Sequence, residues 1–180
     1  MRALCAHCAL PLRACLCALV RPVTHSLAIR VLQHPDEATQ SKGTVRLLQR
    51  CLRDCEVVVG EQWGAAPWAL EGCWLLYPDG DVPSPDAAPP RSLLLLDASW
   101  RHSRKLMHQN PWLHNLPRYA LREVPASLYA GLRKAHAPQQ LSSLEAVAQA
   151  LLELEGNEAA NETLRAVMSD WLALQRNQRD

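Results

Sequence analysis

Apolar positions along the chain switch between two periods, and the switches divide it into strands and helices. The runs Ser26–Gln33 (SLAIRVLQ), Glu56–Gly60 (EVVVG), Cys73–Tyr77 (CWLLY) and Ser92–Leu96 are short and nearly unbroken. Runs of this kind are what strands covered on both faces show. Between them, Gly43–Asp54 places Val45, Leu47, Leu48, Cys51 and Leu52 at helical spacing. Trp100–His108 reads as a helix stopped by Asn110–Pro111, and Pro117–Arg122 as a further strand. Ser142–Leu154 and Asn161–Gln175 read as two more helices, the second with Leu164, Val167, Met168, Trp171 and Leu172 on one side. Pro78–Arg91 holds five of the 13 prolines and reads as a surface loop. Alternating strands and helices predict an α/β fold with a mainly parallel sheet. Ligands of such sheets sit beyond the carboxyl ends of the strands, which singles out His34–Glu37, Tyr77–Asp79 and Asp97–Trp100.

Composition narrows the setting. At 180 residues and 48% apolar the chain can close one core, whose bulk must come from leucines and six Trp because Phe is absent. No apolar run reaches 18 residues, which excludes a transmembrane helix on length, and MRALCAHC lacks the pattern of a secretory signal. Four of seven cysteines crowd into the first 17 residues, unlike a secreted disulfide framework, so a reducing, cytoplasmic setting is expected. The net charge is only +1, yet charge is unevenly spread. Residues 97–136 carry seven Lys/Arg against two acids, and residues 153–180 carry six acids against three Arg. One half of the molecule can therefore face phosphate.

Cys5, Cys8, Cys15 and Cys17 are spaced C-x2-C-x6-C-x-C. Four thiolates so close can wrap one tetrahedral Zn²⁺ and leave no open position, which makes the metal structural. The competing reading is a set of unligated thiols near a terminus, and His7 offers a substitute ligand. This divides the chain into a Cys-rich head, 1–22, and a single globular unit, 23–180. Asp97-Ala98-Ser99-Trp100 follows four leucines, so a carboxylate stands at the mouth of a buried strand. It reads either as an Asp–Ser helix cap with a core Trp or as a site in which Asp97 acts, Ser99 binds and Trp100 forms an apolar wall. Arg101, Arg104, Lys105 and His108 follow on the next helix, and Arg118, Arg122, Arg133, Lys134 and His136 extend the basic region. They form a phosphate-binding face or a solvated one. His34-Pro35-Asp36-Glu37 is a turn with solvated acids, or acids near a sulfonium or ammonium ligand. Ser142-Ser143-Leu144-Glu145 has the capping-box pattern, with hydroxyls equally able to hold a ligand carboxylate.

In their order, these pieces resemble the DTW-domain family of tRNA-uridine aminocarboxypropyltransferases. The resemblance covers nearly the whole chain: Cys5–Cys17, Leu32-Gln33-His34-Pro35-x-Glu37, Gly43-Thr44, Leu75-Leu76-Tyr77-Pro78, Leu95-Leu96-Asp97-Ala98-Ser99-Trp100, Asn110-Pro111-Trp112, Leu116-Pro117-Arg118, Leu132-Arg133-Lys134 and Ser142-Ser143-Leu144-Glu145-Ala146. Ser99 and Ser143 stand where the family usually has Thr, keeping the hydroxyl and losing a methyl.

The resemblance implies a fold related to the SPOUT methyltransferases, with a knotted C-terminal half that binds S-adenosylmethionine. It also implies transfer of the 3-amino-3-carboxypropyl group, not methyl, to N3 of a tRNA uridine. Asp97, Ser99 and Trp100 are then the expected catalytic residues. Tyr77, Pro78, Trp100, Ser142, Ser143 and Glu145 form the expected ligand shell, and Arg101, Arg104, Lys105, Arg118 and Arg133 the tRNA contacts. Asp97 is the candidate general base for N3. Two rivals stay open: an RNA methyltransferase of the same fold, and a non-enzymatic zinc-bearing RNA-binding module.

Overall fold

The computed structural model describes residues 3–8, 10–40, 43–64, 71–79, 88–128 and 141–177. Its elements are β1 (Ala28–Gln33), α1 (Pro35–Ala38), α2 (Val45–Cys51), β2 (Cys55–Val59), β3 (Cys73–Leu76), β4 (Ser92–Asp97), α3 (Trp100–Gln109), β5 (Arg118–Tyr119), α4 (Ser143–Glu155) and α5 (Glu158–Asn177). The five strands form one sheet in the order β2-β1-β4-β3-β5. Every pairing is parallel. The expected parallel α/β fold is therefore present, with the leucine run as its central strand.

Side chains alternate across that sheet. Ile29, Val31, Leu93 and Leu95 face one layer, packed with Leu47, Leu48, Leu151, Leu164 and Trp171 from α2, α4 and α5. Leu32, Leu75 and Leu94 face the other, with Met107 and Leu113. Burial on both faces is why the strands carry no polar alternation. Trp171 and Tyr119 are the bulkiest fully buried side chains, supplying the volume that Phe would otherwise give. No helix among the described residues is long and apolar enough to cross a membrane.

Three elements differ from expectation, each through a side chain that captures backbone N–H groups. α5 begins at Glu158, earlier than the pattern predicts, because Asn157 Oδ1 accepts from Ala160 N–H. Gly156, at φ 63°, turns the chain out of α4 in the left-handed conformation that glycine tolerates best. α1 forms where a turn was expected, because His34 Nδ1 accepts from Asp36 N–H and Pro35 opens the helix. β5 keeps two residues, not six, because the N–H groups of Arg122 and Glu123 donate to Glu153 at 2.8 and 3.0 Å.

Glu153 is the anchor of that last turn. Burial draws its pKa upward, but hydrogen bonds from the Tyr119 hydroxyl, Arg122 N–H, Gln149 and Glu123 N–H outweigh it and hold the carboxyl below its ordinary range. A group whose pKa is lowered on folding stabilises the protein above its unfolded pKa, and the contribution fades as pH falls through the folded value. Glu153→Gln is therefore expected to lower the urea midpoint at pH 7 and to flatten the loss of stability below about pH 4.5. Equal pH dependence in the two proteins is the contrary result.

Candidate active site

The parallel sheet brings the three strand ends marked by sequence to one edge. Gln33 pairs with Asp97 across β1 and β4, and Leu76 with Leu95 across β3 and β4. His34, Asp97 and Tyr77 thus line one mouth, the position open α/β sheets use for ligands.

Asp97 is its most connected acid. Its Oδ2 accepts from Gln33 Nε2 at 2.8 Å, its Oδ1 accepts from the Ser143 hydroxyl, and its carbonyl accepts from His34 N–H at 2.9 Å. The carboxylate therefore joins β1, β4 and the first turn of α4. Ser99 caps α3, its Oγ accepting from His102 N–H at 3.3 Å. Trp100 opens α3 and leaves 46% of its surface exposed, so it is no core Trp. Tyr77 is buried below, with its hydroxyl 3.5 Å from Ser103 Oγ and the Arg118 guanidinium 5.8 Å from its ring centre. Pro78 is exposed beside it.

The start of α4 is a complete capping box: Ser142 Oγ accepts from Glu145 N–H, and Glu145 returns to Ser142 N–H at 2.9 Å. Glu145 is 0% exposed. Its oxygens also accept from Ser127 Oγ at 3.0 Å, Leu128 N–H at 2.7 Å and Ser142 Oγ at 2.9 Å. The carboxylate is thus engaged by the chain itself, and it shapes the site by fixing the helix start.

Among the basic residues, Arg101 and Arg104 project from α3 into solvent. Lys105 is paired with Glu61 at 2.9 Å, and Arg118 Nη2 lies 2.9 Å from His114 Nδ1. Arg133 falls outside the described residues, as do Lys134 and His136.

Sequence reasoning missed three participants: Gln33, His102 and Glu61. The His34 and His102 rings stack at 4.0 Å, 16° from parallel. Glu61 Oε1 lies 3.0 Å from His34 Nε2 but off the N–H direction, so that buried nitrogen has no aligned acceptor among the described residues. The Lys105 hydrogen bond, with help from its charge and from His34, lowers the Glu61 pKa against desolvation. The strand-end rule pointed to residue 34; nothing in the spacing joined it to residues 61 and 102. Asp36 stands 3.6 Å and 3.7 Å from the two imidazole Nδ1 atoms, so three ligand types come close together. They do not make a metal centre: nearly parallel rings aim their lone pairs past one another, and His34 Nδ1 already accepts from Asp36 N–H.

The cysteine head is different. Cys5 and Cys17 Sγ lie 3.7 Å apart, as do Cys8 and Cys15, and all four sulfurs form one cluster. A tetrahedron with zinc–sulfur bonds of roughly 2.3 Å has edges of roughly 3.7–3.8 Å, so the four residues fit the ion. The backbone N–H groups of Cys8 and His7 lower the Cys5 thiol to about 6, whereas desolvation and the neighbouring thiols push Cys17 up to about 12, so the fit to an ion rests on the sulfur geometry. Among the described residues His7 joins no ligand cluster, and it offers its carbonyl to Arg50 at 2.7 Å. Cys51 and Cys73 are buried in the core, and burial raises both thiols; it pushes the Cys55 thiol up to about 12.

The DTW domain profile matches residues 2–176. Proteins named tRNA-uridine aminocarboxypropyltransferase 2 are similar to this chain: 29% identical in Mus musculus, 27% in Macaca fascicularis and 31% in Drosophila melanogaster, each over 89% of the chain. The chain spans 59% of the length of the mouse and macaque proteins and 70% of the fly protein. No solved structure matches it. With the profile running almost end to end over the sheet and its Asp97 mouth, the chain belongs to the DTW domain family.

Proposed function

We propose that this protein transfers the 3-amino-3-carboxypropyl group of S-adenosylmethionine to N3 of a uridine in tRNA, in the cytoplasm. The carrying observation is the junction at Asp97, where the central strand of a DTW-family sheet is tied to the start of α4. The names of the relatives support the reaction. The knotted C-terminal half belongs to the same proposal, supported by the all-parallel sheet and the crossing of the chain from β4 over β3 to β5. So does the division into a zinc-organised head, 1–22, and the remaining unit.

S-adenosylmethionine supplies a carbon activated by its sulfonium. The N3–C bond forms as the C–S bond breaks, the electron pair passes to sulfur, methylthioadenosine leaves, and the N3 proton goes to a base. Holding nitrogen, carbon and sulfur in line is the main service of a rigid pocket. Asp97 stands at the centre, to take that proton or to orient the donor, with Ser99 fixing the turn that presents it. Tyr77, Pro78 and Trp100 wall the ligand, Ser142 and Ser143 bound it at α4, and Glu145 holds α4 in place. Arg101, Arg104 and Arg118 face the tRNA backbone with Arg133, while Lys105 divides its charge with Glu61.

Incubating the purified protein with tRNA and S-adenosylmethionine tests this. Nucleoside mass spectrometry should find uridine carrying the aminocarboxypropyl mass with equimolar methylthioadenosine. Methylated nucleoside with adenosylhomocysteine makes it a methyltransferase, and tRNA binding without product makes it a binding module; either overturns the reading.

A further inference from the structure

Asp97 is positioned by two neutral donors. Gln33 is 6% exposed and held in the sheet directly opposite Asp97, with its amide N–H on Oδ2 at 2.8 Å. The Ser143 hydroxyl, from the first residue of α4, donates to Oδ1. Among the described residues, no Lys, Arg or His side chain comes within 4.0 Å of this carboxylate. Its negative charge is oriented by dipoles and, among the described residues, balanced by no cation.

This arrangement suits one role better than the other. Both oxygens already accept one hydrogen bond from the chain, Oδ2 from Gln33 and Oδ1 from Ser143. Each oxygen nevertheless keeps a further lone pair, aimed from a fixed place on a rigid sheet. Such a group is made to receive a cationic N–H donor, since charge-assisted hydrogen bonds are the strong ones. The donor in the proposed reaction carries two cations, a sulfonium and an α-ammonium, and only the ammonium has N–H groups to give.

We infer that Asp97 accepts the α-ammonium of the aminocarboxypropyl tail, that Gln33 is its positioning residue, and that the N3 proton leaves to solvent rather than to Asp97. The inference rests on the proposed transferase reading. It also accounts for the choice of group: pinning the tail's ammonium at a fixed point sets which carbon beside sulfur meets N3.

Calorimetric titration with three ligands separates the roles. S-Adenosylmethionine has the ammonium and the sulfonium, S-adenosylhomocysteine only the ammonium, and methylthioadenosine neither. Asp97→Asn keeps the side-chain volume, and its carbonyl can still accept from Gln33. It should weaken S-adenosylmethionine and S-adenosylhomocysteine alike, by ~10- to 100-fold, and leave methylthioadenosine unchanged. Gln33→Leu should give the same ligand-selective pattern at roughly 3- to 10-fold. The residual activity of Asp97→Asn should rise with pH as wild type does, following the ionisation of uridine itself.

Unchanged S-adenosylhomocysteine affinity in Asp97→Asn overturns the assignment. So does a loss confined to S-adenosylmethionine, which points to the sulfonium, or an equal loss for all three ligands, which points to a collapsed site. A pH profile altered by Asp97→Asn makes Asp97 the base. Wild-type protein that binds none of the three removes the donor reading itself, and this inference with it.

Discussion

Stripping zinc from the Cys5–Cys17 head is expected to unfold residues 1–22 and to lower the melting temperature of the whole chain by roughly 10 °C. The head has little apolar surface of its own, and its two short 3-10 turns, Leu12–Ala14 and Cys17–Leu19, contain no buried residue. What it does have is Leu16, 5% exposed, inserted into the main core, with Leu10, Leu19 and Val20 packed against that core. Burying one such leucine is worth ~1.5–3 kcal/mol. A metal on the four sulfurs would hold the loop that presents them, so losing it would cost the docking as well as the head. The β1–β4 sheet and the α4–α5 layer have their own core and should remain folded. Purified protein should carry about one equivalent of zinc, and Cys17→Ser should reproduce the chelated state in differential scanning calorimetry. An unchelated preparation without metal, or an unchanged melting curve after chelation, defeats the zinc reading.

The second large effect is expected at Glu145. Glu145→Ala should cost about 3–5 kcal/mol, a large part of the 5–15 kcal/mol typical of a whole domain. Loss of a cap alone costs nearer 1 kcal/mol. The difference lies in the other donors: Leu128 N–H and the Ser127 and Ser142 hydroxyls meet the same fully buried carboxylate. Removing it leaves three half-buried donors without a partner and a void where the buried carboxylate stood, which is dearer than losing the bond energy itself. Glu145→Gln should also destabilise, since its amide turns an N–H toward another N–H. Urea unfolding checks both variants, with a lower midpoint at unchanged m-value. A shift under about 0.5 kcal/mol in both would show that the cap needs no carboxylate. Ser143 begins this helix and holds Asp97, so weaker S-adenosylhomocysteine binding should accompany the lost stability.

Much of this molecule was legible in one dimension. The runs ending at Gln33, Leu76 and Asp97 are strands because they are apolar on both faces, and parallel pairing with helical crossovers follows from the alternation of elements. The strand-end rule then placed His34, Tyr77 and Asp97 at one mouth before any coordinate was known. The cysteine cluster was equally visible, since its four ligands lie close enough in sequence for spacing to imply proximity. The family followed from the order of the short motifs.

Hydrogen-bond partners far apart in sequence were not legible. Gln33 and Ser143 meet on Asp97 from 64 and 46 residues away, and His102 stacks on His34 from another element. Lys105 reads as a free basic residue on α3 until the fold sets Glu61 beside it. Glu145 reads as a cap or a ligand contact until burial and the 127–128 turn claim its oxygens. Periodicity records which face of an element is buried, so sequence determined the sheet, the helices and Asp97's place at the mouth. Polar pairing depends on the distance and direction between elements, which no local pattern encodes, so the tertiary structure alone decided what Asp97, Glu145 and Lys105 are bonded to.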